Sequence, residues 1–255
     1  MGESVNERMN QQPETNNPQP PETPKVEVRR TADGSATLYV PALDEHYHSR
    51  HGARQESEHV FIEAGLLPLL EAGLGGPCAR PLHLLEVGLG TGLNALLTLS
   101  RAQAAGAAVA YDALETVPLP AEVVADLAAK WAAESSESVE LLHQLHAAPW
   151  IETHPLAPHF FLTKLPEALE ATTLPAGYYD LVYFDAFAPE KQPELWTEAI
   201  FAKLYAAAAP GAVLVSYCAQ GQFRRNLRAA GWHTEKLPGP PGKREMTRAR
   251  KEGVV

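Results

Sequence analysis

Three glycines in alternation, between an apolar run and a run with helical spacing, are the part of this sequence with the clearest chemical meaning. Alternating glycines leave the main chain bare, so a ligand can approach it closely and meet the N–H groups that begin the following helix. The sequence therefore predicts a nucleotide-type crevice at this turn. The positions that we expect to contact the ligand are Glu86, Gly88, Gly90, Gly92 and Asn94.

The spacing of the glycines indicates which nucleotide would bind. A dinucleotide fingerprint requires Gly-x-Gly-x-x-Gly, whereas the third glycine here comes one residue early. Glu86, two residues before the first glycine, would repel a pyrophosphate and would suit the positively charged end of a ligand. The pattern thus disfavours NAD and favours a cationic nucleoside, and a glycine-rich turn without a ligand is the alternative.

Two more acids follow predicted strands. Glu115 ends the strand predicted over residues 108–115, and Asp185 ends the buried strand predicted from residue 179. Because the carboxyl ends of parallel strands meet at one edge of a sheet, both acids should face the glycine turn. Glu115 can accept hydrogen bonds from both hydroxyls of a ribose, and Asp185 would lie beside an acceptor group. The structural alternatives are an exposed strand-end acid at Glu115 and a helix N-cap at Asp185.

Residues 44–64 are dense in hydrogen-bonding side chains in their first half and have helical spacing in their second half. We interpret this stretch as a lid or wall over the crevice, with Tyr47 and Ser49 as candidate contacts. Phe187 could lie under a planar base or merely cover the pocket. A metal site at the histidines of this stretch lacks a carboxylate or cysteine at a recognised spacing, so we expect no metal. These histidines are His46, His48 and His51.

Composition and charge narrow the classes of protein. With 45% apolar and 20% charged residues the chain can bury a substantial core, and its two cysteines match no metal or redox spacing. We find no secretory signal and no apolar run of about 18 residues, and we therefore expect a cytoplasmic protein without membrane contact. The net charge is −10, yet residues 220–255 hold nine Lys or Arg and three acids. Such a segment is compatible with phosphate contacts or with a solvated C-terminal face.

The remaining patterns divide the chain into three parts. Residues 1–24, rich in proline and polar groups, predict a disordered tail. Residues 25–80 predict a β-hairpin with an Asp33-Gly34 turn, followed by the lid. Residues 81–255 predict an α/β domain with five parallel strands and a terminal antiparallel pair. Within it we expect a connector from residue 150, a strand over 160–163, and a loop and helix over 164–170.

Five blocks together resemble the methyltransferase half of the bifunctional bacterial MnmC enzymes and its stand-alone relatives called MnmD. The resemblance covers roughly residues 26–250, and Glu-x-Gly-x-Gly-x-Gly alone resembles motif I of the class I S-adenosylmethionine (SAM) methyltransferases. It implies a Rossmann-like, mostly parallel seven-stranded sheet with the hairpin and lid as an N-terminal extension. The blocks are Tyr47–Ala53 with Glu58–Ile62, Glu86–Asn94, Leu114-Glu115, Phe184–Lys191 and Pro238–Thr247.

The resemblance implies a reaction as well as a fold. It is SAM-dependent methylation of the amino group of 5-aminomethyl-2-thiouridine at the tRNA wobble position. Asp185 would position the amine and act as a base, Phe187 would pack on the uracil ring, and the acids and glycines named above would hold SAM together with Tyr47, Ser49 and Asn94. The residues implied for tRNA are Arg224, Arg225, Lys243 and Arg244.

The sequence departs from the wider methyltransferase pattern in one place. Many of these enzymes hold the adenine amino group with an Asp after the third strand, where this chain has Thr163 and Lys164. The oxidase half of the bifunctional MnmC enzymes has no room in 255 residues, so we expect another protein to supply the oxidase step. Two other functions stay open. One is a methyltransferase or aminopropyltransferase for a small free amine, active without RNA and insensitive to salt, and the other is a non-catalytic SAM-binding partner protein.

Overall fold

The computed structural model describes residues 25–131 and 136–253, so the predicted tail over residues 1–24 lies outside the described residues. The described chain forms two sheets and a set of helices. The small N-terminal sheet contains β1 (Glu27–Arg30), β2 (Ala36–Val40) and β3 (Glu45–His46). The strands of the large sheet are β4 (Leu82–Val87), β5 (Val109–Leu114), β6 (Thr153–Ala157), β7 (Phe160–Leu165), β8 (Tyr179–Phe184), β9 (Ala208–Ser216), β10 (His233–Pro238) and β11 (Glu245–Arg250).

Helices connect the strands. A continuous helix over residues 53–71 consists of α1 (Ala53–Ser57), a π-helical segment (Glu58–Leu66) and α2 (Leu67–Glu71). The helices after it are α3 (Leu93–Ala105), α4 (Ala121–Trp131), α5 (Ser136–Ala147), a 3₁₀ turn (Pro193–Trp196), α6 (Glu198–Ala207) and α7 (Gly221–Ala229). None of the helices in the described part is long and apolar enough to cross a membrane.

The large sheet has the order β10-β11-β9-β8-β4-β5-β7-β6. Its five strands β4, β5, β7, β8 and β9 pair in parallel, and β11 is antiparallel to both β9 and β10. This confirms the predicted α/β fold with five parallel strands and a terminal antiparallel pair. The chain proceeds from β4 to one side through β5 and β7 and later returns to β8 on the other side. A crevice therefore forms at the carboxyl ends of β4 and β8, as it does at such switch points in open α/β sheets.

Two details of the predicted strands and helices were wrong. The large sheet has eight strands rather than the seven that the resemblance implies, because residues 153–157, expected in a connector, form the edge strand β6 beside β7. An edge strand tolerates Pro155 since only one of its sides needs to form hydrogen bonds. Lys164 and Leu165 extend β7, and the helix expected up to residue 170 is only a single turn closed by bonds to the carbonyl of Ala168. Pro175 follows this turn and disfavours a longer helix.

The core lies on both faces of the large sheet, as a parallel sheet requires. Neighbouring residues of one strand point to opposite faces, so Leu84 and Tyr183 pack in one cluster while Leu85 and Phe184 pack in the other. The first cluster includes Phe61 from the π-helical segment. The two core clusters therefore hold the strands β4 and β8, whose carboxyl ends form the crevice, from both faces of the sheet.

The N-terminal part combines a hairpin and a helix. The hairpin β1–β2 turns at Asp33-Gly34, as the sequence predicts, and β3 extends it to three strands. The helix over residues 53–71 packs directly on the large sheet, where Gly65 lies against Val215 and Leu181. The helix that follows the hairpin is therefore part of the core, and it anchors the hairpin beside the crevice.

Candidate active site

A cavity of about 720 Å³ lies at the carboxyl ends of β4, β5 and β8, beneath the N-terminal sheet. Pockets of roughly 300–1,000 Å³ accommodate most small ligands of proteins. The cavity's lining residues are widely separated in the sequence, from Arg29 in the N-terminal hairpin to Lys243 near the C-terminal end of the described chain. The predicted site residues that line it are Tyr47, Ser49, Gly88, Gly90, Glu115, Asp185, Phe187 and Lys243.

The glycine turn after β4 forms the floor of the cavity. Gly90 has a φ of 51°, and a Cβ at this position would lie 2.7 Å from Cδ1 of Tyr47. A Cβ at Gly88 would lie 2.8 Å from the main-chain oxygen of Asp185. Only glycine lets the lid and the end of β8 approach this main chain so closely. Gly92 differs from the other two, because it does not line the cavity and a Cβ there would meet Leu145 of α5.

Glu115, at the end of β5, lies beside the glycine turn. Its Oε2 accepts a hydrogen bond from the N–H of Gly90 at 3.0 Å, and its Oε1 accepts one from the N–H of Val117 at 2.8 Å. Burial raises the pKa of Glu115, while these backbone hydrogen bonds counteract the rise. The N–H of Thr116 also donates to this carboxylate. Since a carboxylate has about four acceptor sites, Glu115 can still accept a hydrogen bond from a hydroxyl group such as one of a ribose.

Glu86 and Asn94 lie behind the cavity wall rather than on its surface. Glu86 is 0% exposed, and it accepts hydrogen bonds from the Tyr111 hydroxyl and from Nδ2 of Asn94, both at 2.9 Å. Burial raises the pKa of Glu86 well above its ordinary value. The sequence placed both residues in direct contact with a ligand, but the structure uses Glu86 to orient Asn94 because two buried donors converge on it.

The side-chain amide of Asn94 also holds Asp185, which lies at the cavity surface. Nδ2 of Asn94 donates to Oδ2 of Asp185 at 2.8 Å. Burial raises the pKa of Asp185 to about 7, and the nearby carboxylate of Glu56 adds to the rise, whereas the Asn94 hydrogen bond and Lys243 oppose it. A carboxyl group that ionises near neutral pH is suited to accept a proton in a reaction.

Sequence reasoning missed Glu56, which lines the cavity together with Asp185 and acts on its pKa. Glu56 is 5% exposed, and its Oε2 accepts a hydrogen bond from the N–H of Ser49 at 2.7 Å. Its Oε1 pairs with the ammonium group of Lys243, which lies 4.0 Å from the centre of the Tyr217 ring. The only signal for Glu56 in the sequence was its position within the polar stretch that we interpreted as a lid.

Two aromatic rings meet above the glycine turn. Tyr47 and Phe187 pack edge to face, with ring centres 5.1 Å apart and an interplanar angle of 81°. The main chain of Phe187 is fixed on both sides, since its N–H donates to Gln192 and its carbonyl accepts from the indole of Trp196, each at 2.9 Å. Phe187 therefore has a defined position next to Asp185 from which it can pack on a planar group.

The ionisable side chains that line the cavity are mostly acidic. Among the described residues of the lining, only Arg29, Arg50 and Lys243 carry permanent positive charge. A lining with this excess of carboxylates favours cationic ligands over phosphates. The acidic residues are Asp44, Glu45, Glu56, Glu115, Glu167, Glu170, Asp185 and Glu194.

The four basic residues expected on an RNA-binding surface do not form one surface. Arg224 is 6% exposed and its guanidinium pairs with Glu245 at 3.0 Å, so it is a structural residue. Lys243 lies in the cavity wall because the loop after β10 folds back onto the lid. Arg225 and Arg244 are exposed. In the described residues, no group of three or more His, Cys, Asp or Glu is arranged to hold a metal ion.

Curated relatives of this chain share one name. The chain is 32% identical over 248 residues to the tRNA 5-methylaminomethyl-2-thiouridine biosynthesis bifunctional protein MnmC of Chromohalobacter salexigens, and 35% identical over 224 residues to the protein of this name from Magnetococcus marinus. These matches include 92% and 83% of this chain but only 34% and 32% of the relatives. The chain thus spans about a third of the length of the curated relatives it matches.

Solved structures agree with the fold. MNMC2 from Aquifex aeolicus superposes with a TM-score of 0.70 at 25% identity, covering 92% of this chain and 73% of that one. Spermidine synthase from Thermotoga maritima superposes with a TM-score of 0.53 at 12% identity, covering 90% of this chain and 69% of that one, and shows the fold alone.

A family model described as S-adenosyl-L-methionine-dependent methyltransferase matches residues 160–252, which include β8, Asp185 and Phe187. The bare glycine turn, the acids at the strand ends and the acidic lining agree with S-adenosyl-L-methionine as the ligand. The chain therefore belongs to the S-adenosyl-L-methionine-dependent methyltransferases, in the family that includes the methyltransferase domain of MnmC.

Proposed function

We propose that this protein methylates the amino group of 5-aminomethyl-2-thiouridine at the tRNA wobble position, with SAM as the methyl donor. The observation that supports this most directly is one acidic cavity that contains both the glycine turn and the Asp185 carboxyl group. Both reacting groups that would meet in this cavity carry positive charge. The donor SAM carries it on its sulfur atom, and the acceptor amine carries it until it loses a proton. The name shared by the curated relatives supports the choice of acceptor.

The donor half of the cavity fits SAM. Glu115 has remaining acceptor capacity for a ribose hydroxyl, and the main chain at Gly88 and Gly90 is open because no Cβ fills the space. When bound, SAM supplies an electrophilic methyl group on a positively charged sulfur, and its transfer to an amine leaves S-adenosylhomocysteine. The excess of carboxylates in the lining stabilises that positive charge before transfer.

The acceptor half is built around Asp185 and Phe187. An alkyl amine attacks only as the neutral form, so its proton must leave before or during attack, and the ionised Asp185 is placed to take it. Asn94 fixes the orientation of this carboxylate through its 2.8 Å hydrogen bond. Phe187, fixed by Gln192 and Trp196, packs on the pyrimidine ring and aligns the amine, and such alignment contributes most of the rate in displacement reactions of this kind.

The decisive experiment offers the protein different acceptors in parallel reactions. Methyl-labelled SAM is incubated with the protein and tRNA from a strain that lacks the final methylation, and the tRNA is digested to nucleosides for mass spectrometry. We expect label in 5-methylaminomethyl-2-thiouridine alone. Parallel reactions contain free diamines without RNA.

Two other results would contradict the proposal. Methyl or aminopropyl transfer to free amines without RNA would identify a small-amine transferase. Binding of S-adenosylhomocysteine in calorimetry without transfer to any acceptor would identify a binding protein without catalysis.

A further inference from the structure

The small sheet carries a row of three neighbouring planar groups in the lining of the cavity. Tyr39 on β2 pairs in register with His46 on β3, and their ring centres are 4.8 Å apart. The guanidinium carbon of Arg29 on β1 lies 3.6 Å from the centre of the Tyr39 ring. We call Arg29, Tyr39 and His46 the platform.

The platform is continuous with the proposed active site. All three residues line the same cavity as Asp185, and Arg50 lines it beside them. His46 is followed directly by Tyr47, whose ring lies on Gly90 and against Phe187. A chain that places one nucleoside against Phe187 therefore has its neighbouring nucleotides close to the platform.

The polar atoms of the platform leave part of its bonding capacity unused. Nδ1 of His46 is buried and has no hydrogen-bond partner within the described residues. Burial, together with Arg29 and Arg50, lowers the pKa of His46, which favours the neutral form of its ring. Arg50 is exposed at the cavity mouth.

The charges around the platform favour stacking over a phosphate clamp. Arg29 is paired with Glu27 at 2.9 Å, and the Tyr39 hydroxyl donates to Asp44 at 2.7 Å. These acids offset much of the positive charge that would attract a phosphate, yet they hold the two planar groups in place. Unpaired RNA bases bind aromatic rings and guanidinium planes in this way without needing a strongly basic surface.

We propose that the platform stacks an unpaired RNA base adjacent to the modified nucleoside, with Arg50 facing the phosphate that joins the two. This inference rests on the proposed function, because it takes RNA as the acceptor, and it names the part of the chain that recognises the RNA. It replaces the C-terminal basic segment, whose residues Arg224 and Lys243 are engaged in ion pairs, as the principal RNA contact.

The test measures binding rather than methyl transfer. A fluorescein-labelled anticodon stem–loop RNA with unmodified uridine at the wobble position is titrated with protein and followed by anisotropy, and a duplex of the same stem serves as the probe without unpaired bases. We expect wild-type protein to bind the stem–loop more tightly than the duplex. Tyr39→Ala should weaken stem–loop binding roughly 5-fold or more, whereas Tyr39→Phe, which keeps the ring, should stay within about 2-fold of wild type.

Matched controls separate stacking from damage to the fold. Phe161→Ala removes an aromatic ring that is 39% exposed on β7 and lies outside the cavity lining, so its RNA affinity should equal that of wild type. Calorimetric binding of S-adenosylhomocysteine to Tyr39→Ala reports that the donor half is intact. Equal stem–loop affinity of Tyr39→Ala and wild type, or no RNA binding by wild type, would overturn the platform.

The outcome is independent of the methylation experiment. A protein that binds the stem–loop through Tyr39 but methylates no tRNA would retain the platform and lose the proposed function. A protein that methylates tRNA while Tyr39→Ala binds RNA as wild type does would retain the function and lose the platform.

Discussion

Asp185 is the side chain whose removal should reveal the chemistry most directly. Asp185→Asn keeps a partner for Nδ2 of Asn94 but cannot accept a proton. We expect kcat to fall about 100-fold or more, the usual effect of losing a general base, while the affinity for S-adenosylhomocysteine stays within a few-fold of wild type. In wild type, kcat/KM should rise with pH and level off above about pH 7, since burial raises the pKa of Asp185 to about 7.

Initial rates of labelled methyl transfer from about pH 5 to pH 9 measure both effects. An Asp185→Asn variant with wild-type rates would remove this residue from the mechanism. A wild-type profile without a step near pH 7 would show that Asp185 does not exchange a proton during turnover.

The same raised pKa predicts how stability depends on pH. An Asp in an unfolded chain ionises near pH 3.9, whereas in the folded protein Asp185 keeps its proton up to about pH 7. Its protonated form therefore stabilises the fold below about pH 4, and this contribution is lost as the pH rises to about 7. Asp185→Asn, which carries no charge, should have a higher Tm relative to wild type at pH 8 than at pH 5. Thermal denaturation at the two values measures this, and a difference in Tm that does not change with pH would contradict it.

Residues at strand ends could be predicted, and residues in long-range ion pairs could not. Glu115 and Asp185 follow buried runs, so their place at the sheet edge follows from the pattern of the strands. Lys243 and Glu56 are 187 positions apart, and their contact depends on the path of a loop that local spacing does not determine. For the same reason the charge run around Arg224 suggested a surface, although Glu245 neutralises this residue in the interior.

At the scale of elements, the glycine turn offers a test of how closely the lid must approach. Gly90→Ala adds a Cβ 2.7 Å from the Tyr47 ring at a φ of 51°, so backbone strain and a clash combine. Gly106→Ala adds a Cβ at a similar φ of 64° with nothing within 4 Å, so only strain acts. We expect Gly106→Ala to cost about 1 kcal/mol of folding free energy, and Gly90→Ala to cost more and to weaken S-adenosylhomocysteine binding at least 10-fold.

Urea denaturation and calorimetry on the two variants measure these costs. If both alanine variants bound S-adenosylhomocysteine equally well, the close approach of Tyr47 to the turn would have no role in holding the donor.

Elements with strong periodicity were predicted from the sequence, and short marginal ones were not. β8 is buried throughout and apolar except for Asp180, and the Asp33-Gly34 turn specifies the hairpin locally. The edge strand β6 contains Pro155 and gains its hydrogen bonds only from pairing with β7. Tertiary pairing decides such a segment, and local propensity points the other way.

At the scale of the whole molecule, the N-terminal segment is part of the folding unit. Phe61 from the π-helical segment is 1% exposed and packs 5.1 Å from the Tyr183 ring of β8. Phe61→Ala should therefore lower the free energy of unfolding by about 3–5 kcal/mol in a single cooperative transition, as for a central core residue. Phe161→Ala, at an exposed site, should cost less than about 1 kcal/mol.

Urea denaturation followed by circular dichroism compares these variants. A separate early transition, with the large sheet intact, would show that residues 25–80 fold independently of the rest. The sequence could indicate that these residues form a distinct N-terminal extension, but the packing of its helix on Val215 and Leu181 depends on the tertiary fold.

The single ring of Tyr47 touches the floor of the donor half at Gly90 and the wall of the acceptor half at Phe187. Any ligand that displaces this ring in one half alters the free space in the other, so the two affinities are thermodynamically linked. If the donor changes the affinity for the acceptor by some factor, the acceptor must change the affinity for the donor by the same factor. The order in which the two substrates arrive would then influence how fast each complex forms, but leave the final ternary equilibrium unchanged.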